Sequence, residues 1–177
     1  MPSRRTPILI MRYITSLGNP PPDLDFITDS LAVGGALRSD EQIRALPGLG
    51  IGSVVDMRSE SLDNVAELGR LGIKFLHLPT IDWHPPTQED LTTGTAWVLE
   101  QMAHGGKVLV HCQHGIGRSV ILAAAVLVTS GYTWQDALNL IRAKRWGASP
   151  HADQIDALVA FAGNRQSQIA NRQSPIV

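Results

Sequence analysis

The sequence predicts a single α/β domain of three layers, with a central, mostly parallel, twisted sheet of four to five strands and helices on both faces. Three short runs have the composition of strands: residues 53–56, 74–78 and 107–111. Helical patterns lie between them, and this alternation indicates a parallel sheet covered on both sides. The third run follows two glycines and is apolar enough to be buried on both faces.

The predicted helices begin at residue types that cap helices. Ser39 with Gln42 forms a capping box. Thr87 and Thr133 are the expected N-caps of two later helices, because each hydroxyl precedes acidic residues in the first turn. We expect helices near residues 39–46, 87–104, from 118 onward, 133–144 and 151–162, and an edge strand at 31–33.

Length and composition indicate one globular domain with loose ends. The chain has 177 residues, of which 44% are hydrophobic and 18% charged, and this excludes a disordered protein. Residues 1–23 end in a run of prolines and are interpreted as an N-terminal arm. Residues 24–163 form the predicted domain. The chain turns polar after Gly163, so residues 164–177 are expected to be a solvated tail.

The charge balance and the cysteine content exclude several classes of protein. Fifteen basic and sixteen acidic residues give a net charge of −1, so we expect no nucleic-acid or membrane partner. One cysteine, Cys112, excludes an intrachain disulfide and a four-cysteine zinc site. The longest apolar run, Val120–Val128, is too short to span a membrane, and Ile8–Met11 is too short for a secretory signal. We expect a cytoplasmic protein that is monomeric by default.

The residues that carry chemistry follow the third strand. Residues 111–119 read His-Cys-Gln-His-Gly-Ile-Gly-Arg-Ser and lead into an apolar helix. A loop between a strand end and a helix N-terminus can bind an anion. Gly115 and Gly117 let the backbone curl so that its N–H groups point inward, and Arg118 can bind two phosphate oxygens. This positive environment should lower the pKa of Cys112 and make it a nucleophile.

Other ligand classes are disfavoured at this loop. A metal site of His111, Cys112 and His114 lacks the i, i+4 helix spacing and a second cluster of ligands. The Gly-x-x-x-x-Gly-Lys-Ser/Thr motif of nucleotide-binding loops is absent. The pair Gly115-x-Gly117 lacks the third glycine of the dinucleotide motif. We therefore expect no metal and no cofactor.

The loop resembles the His-Cys-x5-Arg-Ser/Thr signature of the protein-tyrosine-phosphatase superfamily. Its Gly-x-Gly-Arg-Ser ending and the short chain are similar to the compact dual-specificity branch. The resemblance extends over roughly residues 26–162. Leu31–Gly35 resembles the opening strand of that branch, Val54–Arg58 its second strand, and Pro79–Pro86 its general-acid loop.

The resemblance implies a role for each matching residue. Cys112 would attack phosphorus and form a phosphocysteine, and Arg118 would hold the phosphate oxygens. Asp82 would protonate the leaving oxygen and then act as base on water. Ser119 would hydrogen-bond the sulfur, and His111 would orient the loop and tune the thiolate. The remaining oxygens would be bound by backbone N–H groups of the loop, those of Gln113, His114, Gly115, Ile116, Gly117 and Arg118.

Some of these assignments have structural alternatives. Asp82 could instead be a turn or cap residue. Other carboxylates in nearby loops or helix starts are Asp63, Glu89 and Asp90. Asp56 and Arg58 are expected to form a structural ion pair beneath the site. Gln154 could lie near the site, but a helix-surface position is favoured. Trp83, beside the expected acid, is the tryptophan most suited to contact substrate.

The resemblance defines the reaction more narrowly than the substrate. It implies a protein phosphatase acting on phosphotyrosine, and on phosphoserine or phosphothreonine because the long tyrosine-recognition loop of classical phosphatases has no counterpart here. A phosphoinositide, a nucleotide or an RNA end is an alternative substrate. A non-hydrolytic phosphate-binding module, a sulfurtransferase and an arsenate reductase are alternative functions. The variable loop positions carry no Lys or Arg, which disfavours a multiply phosphorylated head group.

Overall fold

A five-stranded sheet forms the centre of the computed structural model, which describes residues 20–173. Its strands are β1 (Leu24–Phe26), β2 (Leu31–Gly34), β3 (Ile51–Arg58), β4 (Lys74–Thr80) and β5 (Lys107–His111). Their spatial order is β1-β2-β5-β3-β4. The pairing of β1 with β2 is antiparallel and the other three pairings are parallel. The predicted fold class is therefore confirmed, and β5 occupies the middle of the sheet.

Six α-helices lie along the described chain. They are α1 (Asp40–Ala45), α2 (Val65–Arg70), α3 (Gln88–Ala103), α4 (Arg118–Thr129), α5 (Trp134–Lys144) and α6 (Ala152–Gln173). The predicted caps Ser39, Thr87 and Thr133 each accept a hydrogen bond from a backbone N–H three residues later. No helix among residues 20–173 is both long enough and apolar enough to cross a membrane.

The sheet divides the interior into two hydrophobic cores. Val108 and Val110 of β5 belong to the core shared with α3 to α6, whereas Leu109 belongs to the core shared with α1 and α2. This division follows from the alternation of side chains along a strand. The first ten residues of α4 are all buried. Those from Val120 to Leu127 are apolar on every side of the helix, and such a helix must lie inside the protein. The helix that follows the cysteine loop is thus held firmly in place.

Both ends of the domain differ from the prediction. The strand β1 was not predicted, since its three residues carry too little pattern to identify a strand. The last helix continues to Gln173, although a solvated tail was expected from residue 164. Gly163 does not end this helix, and the polar residues that follow it are compatible with helix. Of the predicted N-terminal arm, residues 20–23 are described, and residues 1–19 lie outside the described part.

Candidate active site

The cysteine loop, residues 111–119, starts at the end of the central strand and enters the buried helix α4. Gly115 has a φ of +69° in this loop. A Cβ atom added there would lie 2.5 Å from backbone atoms of Gly34, in the neighbouring strand. Only glycine therefore allows the loop to curl at this point and to lie against β2. The sequence prediction of a tightly curled loop agrees with this geometry.

Cys112 lies at the bottom of the loop, with 3% of its surface exposed. Its Sγ atom accepts a hydrogen bond from the N–H of Gly115 at 3.3 Å and lies 3.3 Å from the hydroxyl of Ser119. Burial opposes the thiolate, but the hydroxyl of Ser119 and the backbone N–H groups of Ser119, Gly115 and His114 outweigh it. Together they lower the pKa of Cys112. The thiol is thus prepared to react as a thiolate.

The guanidinium of Arg118 is almost completely buried and is fixed by the acidic side chain of Glu60. Its Nη1 and Nη2 atoms each donate to one carboxylate oxygen at 2.8 Å, and Nη1 also donates to the carbonyl of Thr80. The hydrogen bond to Arg118 lowers the pKa of Glu60 to about 2. Sequence reasoning missed Glu60, although its position at the carboxyl end of β3, beside β5, was an available signal.

Asp82 is the predicted acid that the structure brings to the cysteine loop. Its Oδ1 atom lies 2.8 Å from Nη2 of Arg118 and accepts from the backbone N–H of Trp83 at 3.1 Å. Trp83 has a φ of +67°, which is strained for a bulky residue and is typical of functional loops. Asp82, Arg118 and Cys112 line one cavity of about 30 Å³, room for only one or two water molecules.

The other carboxylates considered as the acid lie elsewhere. Asp90 accepts a hydrogen bond from the hydroxyl of Thr87 at the start of α3. Glu89 is in the same first turn and is exposed. Asp63 is buried below the loop, with Oδ2 2.7 Å from Nε2 of His111. The cavity above Cys112 is lined by none of the residues Asp63, Glu89 and Asp90.

A buried charged network lies beneath the cysteine loop. Arg58 binds both carboxylate oxygens of Asp56 and also donates to Asp63 at 2.7 Å. The predicted ion pair of Asp56 and Arg58 is confirmed, and Asp63 extends it to His111. The ligand atoms of Asp56, Asp63 and His111 are close enough together to hold a metal ion. Arg58 already binds both carboxylates, so we assign the cluster a structural role that holds His111 beside Cys112.

Arg145, which follows α5, holds the outer side of the cysteine loop and was missed by sequence reasoning. Its side chain is buried and donates to the carbonyls of Gly115 and His114 at 2.7 and 3.0 Å. It also donates to both carboxylate oxygens of Asp23, at 3.1 and 2.9 Å. Arg142 on the same helix is exposed, and no local pattern distinguishes the two arginines. Only the tertiary fold shows which of them supports the loop.

Gln154 connects the last helix to the loop that carries Asp82. The prediction of a helix-surface position is wrong, because Gln154 is 1% exposed. Its Nε2 atom donates to the carbonyl of His84 at 3.0 Å, and its Oε1 atom accepts from the N–H of His151 at 3.0 Å. The rings of His151 and Trp83 in turn pack edge to face, with centroids 4.7 Å apart. These contacts hold the acid loop against α6.

Comparison with known proteins agrees with this geometry. The family model "Dual specificity phosphatase, catalytic domain" matches residues 38–164, and the chain belongs to this family. Mouse dual specificity protein phosphatase 22 is 32% identical over 122 residues, which are 60% of this chain and 65% of the relative. The chain therefore spans slightly less than two thirds of the relative's length.

Solved structures show the same fold. Tk-PTP in its active form is 28% identical, with a TM-score of 0.74 over 80% of this chain and 97% of that structure. PTPMT1 is 25% identical, with a TM-score of 0.75 over 84% of this chain and 99% of that structure. The recognition of the compact dual-specificity branch from the cysteine loop is confirmed.

Proposed function

We propose that this protein hydrolyses phosphomonoesters through a phosphocysteine intermediate. The observation that carries the proposal is that Cys112, Arg118 and Asp82 line the same small cavity. A nucleophile of lowered pKa, an anion-binding guanidinium and a carboxylic acid are the three groups that this reaction needs. The positive charge of Arg118 and the backbone N–H groups of the cysteine loop supply the electrostatic stabilisation, so the reaction requires no metal ion.

The reaction proceeds in two steps. The thiolate of Cys112 attacks phosphorus while the bond from phosphorus to the leaving oxygen breaks, and Asp82 gives its proton to that oxygen. Asp82, now a carboxylate, takes a proton from water as the water oxygen attacks phosphorus and the sulfur–phosphorus bond breaks. Ser119 donates its hydrogen bond to the departing thiolate, 3.3 Å away. Inorganic phosphate leaves and the thiolate is restored.

We propose phosphotyrosine in proteins as the preferred substrate, with phosphoserine and phosphothreonine as weaker ones. Trp83 is 61% exposed at the rim of the cavity, and the ring of His151 packs against it edge to face. This pair offers an aromatic wall to a phosphorylated ring. A groove of about 570 Å³ adjoins the cysteine loop at Gln113 and also includes Glu60. Such a groove can accommodate the residues that flank a phosphorylated side chain.

A chelator-containing assay with p-nitrophenyl phosphate tests the reaction. We expect the wild type to hydrolyse this substrate and Cys112→Ser, which preserves the size of the side chain, to be inactive. Hydrolysis that Cys112→Ser retains would contradict the proposal. Orthovanadate binding by an inactive wild type would instead favour a phosphate-binding module. Turnover of sulfur donors or arsenate, without phosphatase activity, would favour the other cysteine-loop reactions.

A substrate panel tests the proposed preference for phosphotyrosine. The panel contains a phosphotyrosine peptide, the matched phosphoserine peptide, a nucleoside monophosphate and PI(5)P, the lipid in one solved complex of PTPMT1. We expect the highest kcat/KM for the phosphotyrosine peptide. Trp83→Leu should reduce its advantage over the phosphoserine peptide. A higher kcat/KM for the lipid or the nucleotide would contradict the protein substrate and identify that compound's class as the preferred one.

A further inference from the structure

Among residues 20–167, whose side chains the structure describes, five buried side-chain atoms have no hydrogen-bond partner. Two belong to the active site, Nδ1 of His111 and Nε of Arg118. The other three are Oγ1 of Thr95, Oγ1 of Thr129 and Nε of Arg165. Buried polar atoms are almost always hydrogen-bonded, so each exception requires an explanation. The three that lie outside the active site all belong to residues that line a single cavity.

This cavity has a volume of about 510 Å³ and lies between helices α3 and α6, with Thr129 at the end of α4. Its size is that of a small-molecule pocket. Ala96, Leu99 and Phe161 provide an apolar wall. The polar lining residues are Gln88, Thr92, Thr95, Thr129, Asn164, Arg165 and Ser167. No carboxylate of the described chain lines it, so Arg165 gives the cavity a positive charge.

Hydroxyl groups around the cavity divide into two kinds. Thr92 donates to the carbonyl of Gln88 at 2.7 Å, and Ser167 donates to that of Gly163 at 3.1 Å, each within its own helix. Thr95 is 3% exposed, yet its hydroxyl makes no such bond. Its hydroxyl, that of Thr129 and the Nε–H of Arg165 are therefore unsatisfied polar groups on residues that line the cavity.

We propose that this cavity is a second binding site, for a small organic carboxylate with an apolar body. A guanidinium and two hydroxyls can donate to the two oxygens of one carboxylate. Arg165 is the one cation among the described lining residues and matches a single negative charge, and the apolar wall covers the rest of the ligand. The site is separate from the cysteine loop and does not depend on the proposed phosphatase activity.

Calorimetric titration of the full chain with biphenyl-4-carboxylate tests the proposal, with biphenyl-4-methanol as the uncharged control. We expect the carboxylate to bind with a Kd of about 1 mM or tighter and the alcohol to bind at least about tenfold more weakly, because it lacks the charge-assisted hydrogen bonds. Saturating orthovanadate, which occupies the active site, should leave the binding unchanged. Competition with orthovanadate, or no binding of the carboxylate, would overturn the proposal.

Two variants separate ligand binding from a structural role. Arg165→Met should weaken binding at least about tenfold, whereas the matched variant Arg142→Met, on the exposed side of α5, should bind as the wild type does. Thr95→Val keeps the shape of the side chain and removes an unpartnered buried hydroxyl. It should weaken binding while leaving the thermal stability unchanged or higher. Binding that survives both Arg165→Met and Thr95→Val would place the ligand elsewhere and refute the assignment.

Discussion

The guanidinium of Arg118 and the carboxylate of Asp82 are in direct contact, with Nη2 and Oδ1 2.8 Å apart. The residue that we propose as the anion ligand therefore holds the residue that we propose as the acid. A phosphate group that binds Arg118 through both Nη2 and the unpartnered Nε would take the place of Asp82 on Nη2. This exchange would release Asp82 toward the leaving oxygen at the moment when substrate is bound.

Replacing Asp82 with Asn should separate catalysis from binding. Turnover of p-nitrophenyl phosphate should fall by about 10²- to 10⁴-fold, the usual contribution of a general acid. Orthovanadate should bind at least as tightly as to the wild type, because the charged competitor for Arg118 is gone. Kinetics and calorimetry on the same protein measure the two effects. If orthovanadate bound more weakly, the contact between Asp82 and Arg118 would not be a competing one.

Replacing Glu60 with Gln should weaken the phosphatase through Arg118. The variant loses the charge-assisted pair that fixes the guanidinium, so kcat/KM should fall by about tenfold or more. Glu89→Gln, an exposed change of the same kind, is the control and should leave kcat/KM unaltered. The pKa of Glu60 is lowered to about 2 from 4.5. The ionised carboxylate therefore contributes fully to the stability of the fold above about pH 4.5, and this contribution is lost as pH falls through about 2.

Replacing Ser119 with Ala should raise the pKa of Cys112. The hydroxyl of Ser119 is the first of the hydrogen-bonding groups that favour the thiolate, and its loss leaves burial less opposed. The pH dependence of alkylation by iodoacetamide reports the thiolate directly, and Cys112 is the one cysteine of the chain. We expect a midpoint below 9.0 in the wild type and a higher one in the variant. Identical alkylation midpoints in the two proteins would show that backbone N–H groups alone lower the pKa of Cys112.

Replacing Gly115 with Ala should disrupt the cysteine loop. The backbone has a positive φ at this position, which a Cβ atom disfavours, and the added methyl group meets the backbone of Gly34. The positive φ alone costs about 1–2 kcal/mol, and the close contact adds to it, so thermal stability and activity should both fall. Gly163→Ala, on the exposed side of α6, is the matched control. It meets no atom within 4 Å and should unfold at the same temperature or higher.

The sequence predicted those parts of the site that lie within one local motif. The cysteine loop and its neighbouring strand and helix were correct, because strand alternation, glycines and an apolar helix are local signals. Glu60, Arg145 and Gln154 were missed or misplaced, since their partners lie 58, 30 and 70 residues away. Such contacts depend on strand order and helix packing, which a single sequence does not display. The strand β1 was missed for a different reason, because three residues carry too little pattern and its pairing with β2 gives it its conformation.

The contact of Arg145 with Asp23 joins residues 122 positions apart and, through the carbonyl of Gly115, ties both to the cysteine loop. Contacts between residues so distant in the chain form late in folding, because the intervening loop must first be closed. The loop would acquire its final shape only after the first strand and the fifth helix have docked. During refolding, the circular dichroism signal should therefore recover before phosphatase activity does. A chain that is still being synthesised would remain inactive until Arg145 had emerged from the ribosome and docked.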